Sequence, residues 1–286
     1  MKRRTASRFI GLVLLLGALI GTVGALAGDL SGNGILARVD QQAQFLSEGS
    51  MIVFLQFDNQ YADGTTAANR FASLSKRVSS GSESSLIYFL EPEDVQGTIF
   101  LSLKPDPNKD ARMWLFLPTL EEITPGYGTK EIISEQQEQS FAGSTFSYKD
   151  VGSREMGDKY NAQLSSEDTV TIDGEDHSVY VLALTAKPDS DADYPTGKMW
   201  VDKEGFIMLK SEDYNESGNL ERSMEVAKLG EFEGEVTADQ MVSTNVLDGS
   251  STMITFLERK RPEGEFSEDL FDPENLASFD SAEYGF

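Results

Sequence analysis

The chain has 286 residues, no cysteine, one histidine and a formal charge of −24. Without cysteine it can hold neither disulfides nor thiolate-bound metal, and His177 by itself cannot build a histidine zinc site. The charge works against nucleic acid and anionic headgroups as partners, because a surface of one sign repels its like.

At the N-terminus Lys2, Arg3, Arg4 and Arg8 precede an apolar run from Phe9 to Leu26, and Ala25-Leu26-Ala27 supplies small residues for cleavage. This three-part order is that of a secretory signal. A permanent anchor is the alternative, since the run approaches the ~20 residues needed to span a bilayer. Four glycines in the run and the Ala-x-Ala ending favour cleavage, with residues 28–286 as the exported part. Removing four positive charges takes the formal charge from −24 to about −28. No cysteine follows the signal, so lipidation at a new N-terminus is not expected. The acidic surface reads first as a solvating one and second as a docking face.

Leu36, Val39, Ala43 and Leu46 recur at helical spacing after Asn33, which is placed to cap, so residues 33–46 are predicted to form an amphipathic helix. Strands follow in close succession: 50–59, 66–78, 84–92, 97–105 and 112–118. They are bounded by Asn59, Gly64, Gly81, Pro92, Gly97 and a Pro-Asp-Pro-Asn turn. Several are apolar on both faces, unlike a sheet with one face in water. In the strand at Met113–Leu117, Trp114 and Phe116 share one face and Leu115 takes the other. The Trp114 face is the one expected to line a pocket.

From Glu121 to Gly157 the alternation lapses and glycines recur, yet Phe141, Phe146 and Tyr148 are embedded there. A long segment of this kind is expected to be a flexible cover. The meander resumes with strands at 169–172, 178–186, 197–201, 206–213, 219–229, 235–246 and 251–260, punctuated by Asp173-Gly174, Glu233-Gly234 and Asp248-Gly249. Near the C-terminus, Phe271-Asp272-Pro273 opens a predicted helix over 271–279, with Asp272 as cap. The tail beyond Phe279 is expected to be loose.

Three acidic residues, Asp189, Asp191 and Asp193, imitate the start of a calcium loop, but Tyr194 and Trp200 stand where glycine and the closing glutamate belong. The segment reads as a solvated loop, and neither metal nor cofactor is expected. A Gly-x-Ser-x-Gly elbow, a phosphate loop and a histidine-centred acid–base pair are all missing from the sequence. A carboxylate-only hydrolase stays open, because the separation of two acids is a three-dimensional quantity.

Several motifs in this order resemble one family. They are Trp114-Leu115-Phe116-Leu117-Pro118, the run Phe141-Ala142-Gly143-Ser144-Thr145-Phe146-Ser147-Tyr148-Lys149-Asp150, then Tyr180-Val181-Leu182, Met199-Trp200-Val201-Asp202-Lys203 and Asp269-Leu270-Phe271. The chain is similar to the outer-membrane lipoprotein-sorting family, relatives of the LolA and LolB carriers. There are two departures from the family pattern: Thr145 stands where an acidic residue is usual, and Glu121 and Glu122 where basic residues follow the proline.

The resemblance implies a mainly β (α+β) fold: an incompletely closed antiparallel β-barrel, with helices and the aromatic segment covering its concave face. It implies a monomeric periplasmic carrier for acyl chains of lipoproteins or other lipids, acting without covalent chemistry. An inner-membrane transporter or an outer-membrane acceptor would be its protein partner. A lipid-sensing regulator or adaptor is the alternative within the same fold. The expected lining or cover of the pocket is Phe54, Tyr88, Phe100, Trp114, Phe116, Phe141, Phe146, Tyr148 and Trp200. For any one of these rings, plain core packing is the competing reading.

Overall fold

The computed structural model describes residues 31–78, 81–106, 109–152, 156–188 and 190–286; the expected signal segment and its cleavage site at Ala27 lie outside them. Helix α1 (Gly32–Ser47) leads into six strands: β1 (Gly49–Gln60), β2 (Thr66–Arg77), β3 (Glu83–Glu91), β4 (Ile99–Lys104), β5 (Arg112–Phe116) and β6 (Thr129–Ile132). Helix α2 (Pro118–Ile123) joins β5 to β6. After β6 come α3 (Ser134–Gln137) and α4 (Tyr148–Gly152). The second run of strands is β7 (Tyr160–Ile172), β8 (Glu175–Ala186), β9 (Thr196–Asp202), β10 (Met208–Tyr214), β11 (Leu220–Phe232), β12 (Glu235–Asn245) and β13 (Ser251–Lys260). Three 3-10 turns close the chain at Glu268–Phe271, Pro273–Ser278 and Ser281–Tyr284.

All thirteen strands form one antiparallel sheet in the order β6-β5-β4-β3-β2-β1-β13-β12-β11-β10-β9-β8-β7. The chain walks outward from β1 to one edge, crosses to the opposite edge, and walks back until β13 pairs with β1. Since β6 and β7 are the two edges, the barrel is not closed. The segment joining them, residues 133–159, is a crossover from edge to edge.

The curl of the sheet follows from α1, which touches both β7 and β2. These strands stand eight places apart in the sheet. If it were flat they would be about 38 Å apart, more than the ~24 Å length of the helix, and β7 also meets β11, which stands four places from it and would be about 19 Å away in a flat sheet. The sheet therefore wraps around α1, and the face that α1 touches is the concave one. Pairing register fixes which side chains lie there. Leu182, Met199, Ser211, Met224, Ser243, Thr252 and Asn59 are directly opposite one another in succession, so they form one row across seven strands of that face.

Ile35 and Leu36 of α1 pack on Leu182, Leu184, Met199 and Val201 at one end of the concave face. Ser31, rather than Asn33, caps the helix: its Oγ accepts from Gly34 N at 3.2 Å. Asn33 instead accepts from Ala162 N of β7 at 2.7 Å, tying the helix to the edge strand. Asp40 secures the other side of the crossover, accepting from the amides of Met156 and Gly157 at 3.0 and 2.7 Å.

The convex face of β1 to β5 carries a separate apolar layer under the C-terminal segment, which contributes Phe266, Leu270, Phe271 and Leu276. Here two expectations are corrected. The predicted helix over 271–279 forms 3-10 turns, although Asp272 caps as foreseen, accepting from Glu274 N at 2.9 Å. Beyond Phe279 the tail is packed: Phe286 meets Phe54 and Tyr88 with ring centroids 5.8 and 5.5 Å apart, and Tyr284 stacks on Phe279. Aromatic burial holds a tail whose polar spacing reads as loose.

Candidate functional site

The crossover enters the concave face as a tight turn. Phe141, Ala142, Gly143 and Ser144 turn back with both central residues at positive φ (52° and 71°), and Ser144 N donates to Phe141 O at 2.9 Å. Asp173-Gly174 and Glu233-Gly234 have the same pair of positive φ values in ordinary hairpins. An alanine held there is strained, by roughly 1–2 kcal/mol for a left-handed L-residue. The sheet supplies the restraint. Asn59 Nδ2 and Asn69 Nδ2 both donate to Ala142 O, at 3.2 and 3.3 Å, while Thr252 Oγ1 accepts from Thr145 N at 2.9 Å and donates to Asn59 Oδ1 at 2.8 Å. Thr145, where the family resemblance calls for an acid, thus binds the sheet through its backbone.

This turn drives Phe141 into the middle of the concave layer. The ring is 1% exposed, with centroids of Phe57, Phe71, Phe89, Phe100 and Tyr148 between 5.5 and 6.1 Å away. Phe146 packs on Phe57 at 5.9 Å, and burial pushes the Tyr148 phenol up from its ordinary pKa. A segment that reads as a surface cover is a plug seated in the barrel.

The plug ends in an ionic lock. Arg222 of β11 donates to both oxygens of Asp150, at 3.0 and 3.1 Å, and through Nε to Asp213 of β10 at 2.9 Å. Its guanidinium also lies 5.0 Å from the Tyr194 ring centroid. Burial resists ionisation of Asp150, but Arg222 and the Ser147 donors outweigh it and hold the carboxyl below its ordinary pKa. At Asp213 burial prevails and the pKa is raised. Arg222 is raised despite burial, because two carboxylates face it. Burial likewise pushes Tyr160 and Tyr194 up to about 12. One cation between two carboxylates leaves the lock with net negative charge.

The nine expected site residues divide. Phe100, Phe141, Phe146 and Tyr148 meet on the concave face. Phe54, Tyr88, Trp114 and Phe116 belong to the convex layer beneath the C-terminal segment. Trp114 and Phe116 do share a face, with Leu115 on the other, but Leu115 is the one that packs with the plug's cluster. Trp200 stands apart, opposite Val181 and Lys210, with Lys210 Nζ 5.1 Å from its ring centroid. The structure brings four of the nine together with the plug and leaves the other five elsewhere. Strand alternation separates the faces, but only pairing register tells which one the crossover fills. Asn59, Asn69, Ser243, Thr252 and Arg222 escaped the sequence reading because a polar residue in an alternating strand looks solvent-facing.

Other sequence signals have local partners. Asp193 accepts from Lys149 Nζ at 2.5 Å and Asp191 lies 3.5 Å from Lys159 Nζ, while Asp189 is outside the described residues. His177 Nδ1 is 3.7 Å from Asp202, whose carboxylate caps the next turn by accepting from the amides of Glu204 and Gly205. Glu121 accepts from the amides of Gly126 and Gly128, at 2.8 and 2.9 Å, and those bonds lower its pKa.

A family model described only as an uncharacterized protein matches residues 81–278, most of the chain. The chain belongs to that family. Among solved structures, the family's fold recurs in a DUF1329 family protein from Desulfovibrio piger, with a TM-score of 0.74 and 24% identity over 86% of this chain and 97% of the other. A domain described as outer membrane lipoprotein-sorting, from Vibrio parahaemolyticus, is similar at TM-score 0.72 and 25% identity, covering 86% of this chain and 98% of its own. A LolA superfamily protein from Nitrosomonas europaea matches at TM-score 0.61 and 21% identity, over 85% and 98%. No curated protein matches the chain. The lipoprotein-sorting, LolA-like fold suggested by the motifs is therefore the fold of this family member, an open β-barrel with a carrier-type architecture.

Proposed function

We propose that the protein is a periplasmic carrier or binding protein for the acyl chains of lipoproteins or other lipids, acting without covalent chemistry. In this reading residues 1–27 direct export and are removed, and residues 28–286 work as one domain. The observation that carries the reading is the plug. The centre of the concave face is lined by Phe57, Phe71, Phe89 and Phe100 and is filled by Phe141, a ring delivered by a crossover rather than by a strand. An acyl chain entering the barrel takes the space of that ring and of Phe146.

Energetics favour exchange over tight storage. Burying a methylene is worth about 0.8 kcal/mol relative to water but little relative to a membrane interior, so transfer depends on small differences. A plug that offers the same aromatic contacts as the cargo narrows the difference further. Phe100, Phe141, Phe146 and Tyr148 are the lining and cover assigned to cargo. An inner-membrane transporter or an outer-membrane acceptor is the matching class of protein partner. Glu121 and Glu122 at the α2 rim make docking by positive charge there unworkable.

Native mass spectrometry of gently purified protein tests the reading, followed by titration of the delipidated protein with a fluorescent fatty-acyl ester. Co-purified lipid, or saturable binding, is the expected result. Protein that carries no lipid and binds no acyl probe overturns it.

A further inference from the structure

The polar row beneath the plug bears on what kind of cargo fits. Asn59 is 2% exposed, Asn69 9%, and Thr252 and Ser243 are both fully buried. Three of the four are satisfied by the plug: the two asparagine amides by Ala142 O, and Thr252 by Thr145 N and Asn59. The fourth is not, for Ser243 Oγ has no hydrogen-bond partner among the described residues. Ser243 is directly opposite Thr252 and Met224, so register puts it on the same face, under the plug. Thr145 Oγ1, from the plug, donates to its backbone oxygen at 3.5 Å.

A ligand that lifts the plug uncovers two amide donors, the Thr252 hydroxyl and the Ser243 hydroxyl in an apolar cavity. Leaving a buried polar group unpaired costs about 1–3 kcal/mol, so a bare hydrocarbon is a poor replacement. The groups being replaced are two peptide units of the plug: the Ala142 carbonyl, which accepts from Asn59 and Asn69, and the Thr145 N–H, which donates to Thr252. An anionic head fits badly for a separate reason. Arg222 is two residues along β11 from Met224, about 7 Å away. It is already held by Asp150 and Asp213, whose excess negative charge faces the same interior.

We propose that Asn59, Asn69, Ser243 and Thr252 form a polar subsite that reads a neutral amide or ester carbonyl at the head of an acyl chain and rejects a free carboxylate. This rests on the acyl-binding reading above and adds to it the chemistry of the head. Ser243 is the specificity residue least tied to folding, because its hydroxyl bonds nothing while the plug is seated.

The test compares three ligands of equal chain length, N-palmitoylglycinamide, 1-palmitoylglycerol and palmitate, on the delipidated full-length protein and on Ser243→Ala. Affinities come from displacement of a fluorescent acyl probe and stability from thermal melting. Wild type should bind the amide and the ester at least about tenfold more tightly than palmitate, whose carboxylate can accept from the asparagine amides but must be buried without a counter-ion beside the lock's excess negative charge. Ser243→Ala should melt no lower than wild type yet bind the ester about fivefold more weakly, the loss of one hydrogen bond. Thr252→Val, which also removes a plug contact, should narrow the gap between amide and palmitate. Equal binding of all three ligands, tighter binding of palmitate, or an unchanged ester affinity in Ser243→Ala overturns the polar subsite while acyl binding stands. Failure of wild type to bind the fluorescent probe and all three ligands removes the acyl-binding reading itself.

Discussion

Replacing Phe141 with alanine separates a plug from ordinary core. The ring is 1% exposed and meets five other rings, so its loss should cost about 3–5 kcal/mol, the range for Phe→Ala in a packed core. For a chain of this size that lowers the melting temperature by roughly 6–10 °C. The same energy reappears in binding with the opposite sign. In wild type an acyl chain must first displace the ring, so its apparent affinity is reduced by the fraction of molecules in which the plug is out. Removing the ring lifts most of that penalty, and affinity for an acyl probe should rise at least tenfold, each ~1.4 kcal/mol being a factor of ten. Ligand at a hundred times its dissociation constant should then restore about 2.7 kcal/mol of stability. Phe100→Ala is the control. It is equally buried and touches Phe141 and Tyr148, but it stands on the β4 wall, so it should lose similar stability and bind the probe more weakly. Melting curves with and without probe, and a probe titration for each variant, give both quantities. If Phe141→Ala melts early yet binds no better than wild type, the ring is core and the displacement argument is wrong.

Removing the lock's cation, Arg222→Met, leaves Asp150 and Asp213 facing each other and should cost about 3–5 kcal/mol near neutral pH, measured by urea unfolding. In that variant both carboxyls are raised, so their contribution is present below the ordinary carboxylate pKa and lost as pH rises through the raised values; the deficit should shrink towards pH ~4. In wild type Asp150 is lowered, so its contribution is present above the ordinary carboxylate pKa and lost on acidification below it, while Asp213, being raised, works in the opposite sense. Glu121→Ala removes the acceptor of two amides on an exposed loop, so hydrogen exchange at Gly126 and Gly128 should quicken while the melting temperature holds. Deleting residues 280–286 uncovers Phe54 and Tyr88 on the convex face; a melting point lower by several degrees and added binding of an apolar dye are expected, and an unchanged melt would mean that the tail contributes nothing.

The sequence by itself determined the β-rich architecture, because alternation and turn residues are local. Asp173-Gly174 and Glu233-Gly234 mark hairpins wherever the strands end up. It also determined that Trp114 and Phe116 face away from Leu115, a consequence of the two-residue period. The motifs from Trp114 to Phe271 carried the family. What only the tertiary structure decided is which face is inside. That depends on register between strands far apart in the chain and on a crossover running from β6 to β7, and no local pattern encodes either. Phe141 and Trp114 look alike as aromatics in apolar company. One fills the barrel and the other lies under the C-terminal segment. Asn59 of β1 is separated from Ser243 and Thr252, on the adjacent strands β12 and β13, by most of the chain, and each alone reads as a solvent-facing polar position. They become one buried row only when β13 returns to pair with β1, because antiparallel pairing places side chains directly opposite one another on the same face.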